Sequence, residues 1–460
     1  MICTPRLLLI RIAAVLSVCI PVCLFAQQPV FSPEPQDSLK LARLLALYEQ
    51  QYKSDIELLP SQYRKDIEEA YKLRWNNIRE KFDDKEIYTD SAAQNYLNRL
   101  IAEIRRVNPD LPLGFTCYFS RTPVPNAEYI GEGIILFNMG LFTRLNNEGE
   151  VIFILCHEIS HYVLRHSEHR IEQYVATLNS KETQEALRSI KKSEYQKGQQ
   201  LESLTKGLTF NSRRHSRDHE SQADSMAVEL MRHTSYRVSN AMSALALLDT
   251  IDNDPLNMSV HLPDVFNSPE FPFKKRWISY DQGLLGGHAV LKKEATADSL
   301  KTHPDCQKRI ALLTTLTKSW SQPAARNFLA DSIQFLSLQN RFRYETIEYC
   351  YQSKNFTRSL FLTLELLAIH SDDPWLVTET GLVFNGMYNA QKKHALSKVA
   401  DLPGPYFTEN YNLVLQFIQN LYLDEMISIN YYFMKKHDPQ LNFYKPFHTT
   451  FETTQQLFKN

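Results

Sequence analysis

A chain of 460 residues exceeds the usual size of one domain, so two folded units are expected. Its 51 Lys and Arg against 52 Asp and Glu leave a formal net charge of -1, which excludes the basic footprint of a nucleic-acid binder. Only 13 Gly argues against a turn-rich all-β chain, and the many Leu, Glu, Lys and Gln favour helix, so the expected class is mainly α with an α+β part.

Arg6 and Arg11 open the N-terminus, an apolar stretch runs from Ile12 to Phe25, and Ala26 precedes Gln27. This reads as a signal peptide over residues 1–26, too short for a comfortable membrane span, and predicts an exported, periplasmic mature chain, with membrane association left open. Cys19 and Cys23 follow Val18 and Val22, which are bulkier than lipid-anchor processing favours. The mature chain keeps Cys117, Cys156, Cys306 and Cys350, as disulfides or as free buried thiols.

From Asp37 to Asn108 the pattern is helical, with Leu39, Leu41, Leu44, Leu45 and Leu47 on one stretch and Tyr96, Leu97, Leu100, Ile101, Ile104 and Val107 on another. Asn108-Pro109 ends it. Phe115 to Ser120 is a short aromatic strand. Tyr129-Ile130 and Ile134 to Phe137 flank Gly131 and Gly133 as a hairpin or an exposed edge. A short helix is expected over 140–145. Asn147 and Glu150 form a capping-box pattern for a helix expected to run to His166. Helix continues to about Leu204, restarts near Ser216, and covers Ser239 to Thr250. Between Asp252 and Thr302, Pro255, Pro263, Pro269, Pro272 and Gly286-Gly287 break every pattern, which reads as a long loop. Beyond Gln322 helix returns. Asn355-Phe356, Ser359, Pro374 and Gly381 fit the spacing of a tetratricopeptide repeat, with an unrelated helical bundle as the alternative.

The chemistry centres on His157-Glu158-Ile159-Ser160-His161. Residues four apart share a helix face, so both imidazoles reach one ion, and zinc suits neutral imidazole in a tetrahedral site. Glu158, beside the first ligand, is placed to take a proton from the attacking water. Phe153, Ile154, Leu155, Ile159, Val163 and Leu164 make the helix apolar, and polar groups inside such a helix cost several kcal/mol unless paired or coordinated. Catalytic zinc takes three protein ligands. Ser167 and Leu164 exclude the longer metzincin pattern, and Ser180 excludes the aminopeptidase one. The best third ligand is Glu220, 59 residues past His161, with Asp224 one turn on to hold a ligand imidazole and small Ala223 between them. His166, His169, His215, His219, His261 and His288 read as surface residues, and Cys156 as packing.

Pro125-Asn126-Ala127, Asn138-Met139-Gly140-Leu141, the zinc helix ending in Arg165-His166, Ser216 to Asp224 and Thr302 to Ile310 occur in this order. Over about Tyr96 to Ile310 the chain resembles the HtpX-like and CAAX-prenyl-protease-like zinc endopeptidases. The resemblance implies a zincin-type metallopeptidase domain with a small β-sheet over 27–325, one Zn2+ per chain on His157, His161 and Glu220, and Glu158 as the base. It also implies a substrate strand added near Asn126 and Ala127. It places His303 near the zinc, with Arg309 close by: His303 either stabilises the oxyanion or caps the metal. No spanning helix follows the signal, unlike in the integral-membrane members. An exported catalytic domain with a helical tail over 326–460 is similar to the periplasmic β-barrel-assembly-enhancing proteases. That likeness implies polypeptide substrates, misfolded or stalled envelope proteins among them, and outer-membrane assembly machinery as partner of the tail. The alternative function is a chaperone-like binding protein with a latent peptidase site.

Overall fold

The computed structural model describes residues 30–192, 217–251, 253, 256–279, 305–404 and 407–459. The expected signal peptide and His303 lie outside the described residues.

Three helices come first among the described residues: α1 (Ser38–Glu57), α2 (Arg64–Asp83) and α3 (Ser91–Val107). Asp37 and Asp90 start α1 and α3 by accepting from the backbone N–H of Lys40 and Ala93, which satisfies donors that a helix start leaves open. Strands β1 (Thr116–Ser120), β2 (Ala127–Gly131) and β3 (Ile134–Asn138) form one sheet in the order β1-β3-β2. β3 runs parallel to β1, with Thr116 opposite Ile134, and antiparallel to β2, with Ala127 opposite Phe137. Gly131 (φ 112°), Glu132 (φ 49°) and Gly133 (φ 74°) make the hairpin turn in the left-handed region, so glycines flank the one side chain there. Side chains alternate across the sheet. Tyr118, Ile134 and Leu136 pack with α1 and α2, whereas Cys117, Phe119, Ile135 and Phe137 pack on the other side with α3 and the metal-motif helix.

α4 (Met139–Phe142) leads into α5 (Glu148–Val163), whose residues Glu148 to Ser160 are all buried. Asn147 Oδ1 accepts from Glu150 N, as the cap predicts. The Glu150 carboxylate, however, accepts from Asn146 N, one residue earlier than a capping box requires. The helix expected to reach His166 stops at Val163. Arg165 turns left-handed (φ 53°) and His166 begins α6 (His166–Leu178), which folds its buried side chain back toward α5. α7 (Lys181–Lys192) follows; α8 covers residues 217–232, and α9 is Ser239–Thr250.

The segment read as a long loop contains α10 (Met258–Phe266) and a 3-10 turn over Lys275–Ile278. Met258, Leu262 and Trp277 are fully buried. Burying each such side chain contributes roughly 1.5–3 kcal/mol, and this tertiary gain overrides the local breaking tendency of Pro263. α11 (Cys306–Thr317), α12 (Ser332–Gln352), α13 (Phe356–Leu367), α14 (Pro374–Lys392), α15 (Glu409–Gln419), α16 (Leu423–Leu441) and α17 (Lys445–Lys459) complete the chain. α12 is shared between two cores. Phe335, Leu338 and Phe342 join the core around the sheet and α5, while Tyr344 and Ile347 join one formed by α10 and α13 to α17. Gly381, on α14, lies against the side chains of Met434 and Thr450. Ser359 donates to Glu379 Oε1 at 3.0 Å. Cys117, Cys156 and Cys350 are free buried thiols, and Cys306 is buried as well.

Candidate metal centre and active site

α5 carries His157 and His161 one turn apart, and α8 brings Glu220 against them. His157 Nε2 and His161 Nε2 are 3.1 Å apart; Glu220 Oε2 lies 3.5 Å from the first and Oε1 3.5 Å from the second. A tetrahedral ion held at about 2.0–2.1 Å from each donor sets donors about 3.3 Å from one another. The observed triangle has that size, and its two imidazoles and one carboxylate are the donor set of a catalytic zinc site. The residues fit the metal.

The surrounding shell is ionic. Asp224 Oδ1 approaches His157 Nδ1 at 3.0 Å, off the line of the ring N–H, so the contact is chiefly electrostatic. Arg309 clamps Asp224 through Nε (2.7 Å) and Nη2 (2.8 Å) and reaches Glu220 Oε2 through Nη1 at 3.4 Å. Its guanidinium is therefore committed to the two carboxylates. Burial disfavours a charged His157, but Asp224 and Glu220 outweigh it and raise the ring to about 10. Burial, then His157, pushes His161 down to about 3. Burial would raise Glu220 and Asp224, yet His157 and Arg309 hold both below the usual carboxylate range.

Glu158 follows the first ligand and is 7% exposed. Burial pushes its carboxyl up to about 7. Tyr129 N–H donates to Glu158 Oε2 at 2.8 Å. β2 pairs on one side only among the described residues, and its other side meets the site through this bond. A cavity of about 880 Å³ joins the three donors and Glu158 to Asn126 and to Ala127 and Glu128 of that strand.

The structure thus brings together His157, Glu158, His161, Glu220, Asp224 and Arg309, with Asn126 and Ala127 along one wall of the cavity. Sequence reasoning missed three neighbours. Tyr129 acts through its backbone, which carries no residue-type signal. His166 was read as a surface residue, but it is 2% exposed, with Nδ1 2.9 Å from His161 Nδ1 and Nε2 3.1 Å from Gln222 Oε1. A spacing of five places two residues on different faces of a continuous helix, so only the break at Arg165 makes this contact. His219, also assigned to the surface, stacks on His166 with centroids 4.2 Å apart.

Two imidazoles and a glutamate on neighbouring helices, a buried glutamate beside them and a strand edge along the cavity define a zincin-type metallopeptidase site. The sequence comparison agrees: residues 89–317 match peptidase family M48, so the chain carries a peptidase M48 domain and, at that level, is a metallopeptidase. No curated protein matches the chain.

Proposed function

We propose that this protein is an exported zinc metalloendopeptidase, of the HtpX-like type, that hydrolyses peptide bonds of misfolded or stalled envelope proteins with Glu158 as general base. The observation that carries this reading is the donor triangle of His157, His161 and Glu220 beside a buried glutamate tied to an edge strand. Bound zinc supplies Lewis-acid polarisation to oxygen atoms at the site. Tyr129 N–H holds Glu158 Oε2, leaving Oε1 to take a proton from the attacking water and pass it to the leaving amine. A polypeptide laid along the unpaired edge of β2 at Ala127, beside Asn126, would be held by main-chain bonds, which tolerate many sequences. Export to the periplasm rests on the charged and apolar pattern of residues 1–26. No helix among the described residues is long and apolar enough to cross a membrane. Residues 326–460, from α12 onward, are proposed as a tetratricopeptide-like tail that engages outer-membrane assembly machinery, supported by the spacing of Asn355, Ser359, Pro374 and Gly381.

The test is purification of the mature chain, zinc per chain by elemental analysis, and cleavage of casein or an unfolded outer-membrane protein. About one zinc per chain is expected. Glu158→Gln should retain the metal and lose roughly 10²–10⁴-fold in rate. A Glu158→Gln protein that cleaves as fast as the parent would refute the assignment.

A further inference from the structure

We infer that His166 orients ligand His161 and fixes its tautomer, as Asp224 supports ligand His157, so that the turn between α5 and α6 is part of the metal site. The inference rests on the zinc reading of His157, His161 and Glu220.

His161 turns Nε2 toward His157 Nε2 and Glu220 Oε1. A ligating imidazole presents a lone pair to the ion and is otherwise neutral, so its proton sits on the other nitrogen. That nitrogen, Nδ1, is 2.9 Å from His166 Nδ1 and needs an acceptor there. His166 must then be bare at Nδ1 and protonated at Nε2, where Gln222 Oε1 accepts at 3.1 Å. One proton order satisfies the whole chain: His161 Nδ1–H to His166 Nδ1, then His166 Nε2–H to Gln222 Oε1. The opposite order would put a proton on His161 Nε2 and close that ligand to a metal. Neither nitrogen of His166 faces the donor triangle, so it supports the ligand without being one.

The ring is also held in place. It is 2% exposed and lies parallel to His219, at 8°. His219 and Gln222 bracket Glu220 on α8, so one imidazole meets the helix of the third ligand on both sides while bonding the second ligand on α5. Left-handed Arg165 makes this possible: it ends α5 and swings His166 back one turn. The two histidine ligands thus have unlike supports, a carboxylate for His157 and a neutral imidazole for His161.

The experiment measures zinc affinity by competition with a chromophoric chelator and the visible spectrum of the cobalt(II)-loaded protein. His166→Phe keeps the stacking ring and deletes both nitrogens. His166→Asn places an amide oxygen near the Nδ1 position. Loss of an outer partner of a ligating histidine typically lowers metal affinity about 10–100-fold. His166→Phe is expected to fall in that range with a changed cobalt spectrum, and His166→Asn to recover most of the affinity, while the metal-free melting temperatures of both stay together. Equal losses in the two variants would show that packing alone matters and overturn the inference, as would a His166→Phe protein that binds zinc as tightly as the parent. If His166→Phe does not fold, Gln222→Leu at an exposed position decides: weakened zinc binding supports the relay, and unchanged binding overturns it. A parent protein that binds no zinc would instead remove the metal-site reading, and this inference with it.

Discussion

Glu148 at the first turn of α5 gives the sharpest stability prediction. Its side chain is fully buried and accepts five hydrogen bonds. Oε1 takes Tyr96 Oη (3.1 Å) and Asp331 N (2.8 Å); Oε2 takes Tyr236 Oη (3.0 Å), Leu329 N (2.7 Å) and Ala330 N (2.8 Å). The carboxylate thereby ties the segment before α12 to the start of the metal-motif helix. It also sits at the positive end of the helix dipole. Hydrogen bonds to a charged group contribute about 1.5–3 kcal/mol each, and a buried donor left alone costs about 1–3 kcal/mol. The two tyrosine hydroxyls are buried, whereas residues 329–331 are partly exposed and water would relieve their N–H groups. Glu148→Ala should therefore lose at least about 4 kcal/mol. Glu148→Gln keeps one oxygen but aims an NH2 at donors, for a loss of about 2–3 kcal/mol. Tyr236→Phe, which removes one donor and orphans nothing, should lose about 1.5 kcal/mol, the lower end of that range. Urea titration gives these differences from midpoint and slope. Hydrogen exchange at the amides of 329–331 gives the local effect, which should be faster in both Glu148 variants. If Glu148→Gln unfolded within about 0.5 kcal/mol of the parent and those amides stayed protected, this account of the clamp would be wrong.

Two further predictions concern other parts of the fold. Burial, then nearby Glu348, raises the Glu379 carboxyl from 4.5 to about 8, so the folded state holds its proton more tightly than the unfolded chain does. The stability tied to that proton is complete below about pH 4.5 and is lost as pH climbs toward 8; Glu379→Gln should change little at pH 5 but stabilise by up to about 4 kcal/mol at pH 8–9, read as a pH-dependent gap in melting temperature. At Gly140 an added Cβ would stand 2.0 Å from the Pro123 carbonyl oxygen, so Gly140→Ala must shift backbone there; a loss of roughly 1–3 kcal/mol is expected, and an unchanged urea midpoint would show that this segment yields freely.

Much of the local structure was legible in the chain. Asn147 marks a helix start because a side-chain oxygen there satisfies open backbone donors. The strand runs near Phe115 and Ile134 show in their β-branched and aromatic content. The metal motif reads from spacing alone, since four residues make one turn. Glu220 was singled out by elimination together with the resemblance, because a candidate 59 residues away carries no periodic signal. The segment from 256 to 279 misled because its prolines argue against regular structure locally, whereas Trp277, Met258 and Leu262 find a core built from helices far along the chain.

The sequence by itself determined most of the elements and the histidine pair on one helix, since periodicity, capping and residue type are local properties that neighbouring positions impose on one another. Only the tertiary structure decided what those ligands rest on: the Arg309–Asp224 pair behind His157, the Tyr129 N–H on Glu158, and His166 turned back against His161. Those contacts depend on where a left-handed residue ends a helix and where a strand edge meets one. Such placements come from the packing of the whole core, and spacing along the chain does not encode them.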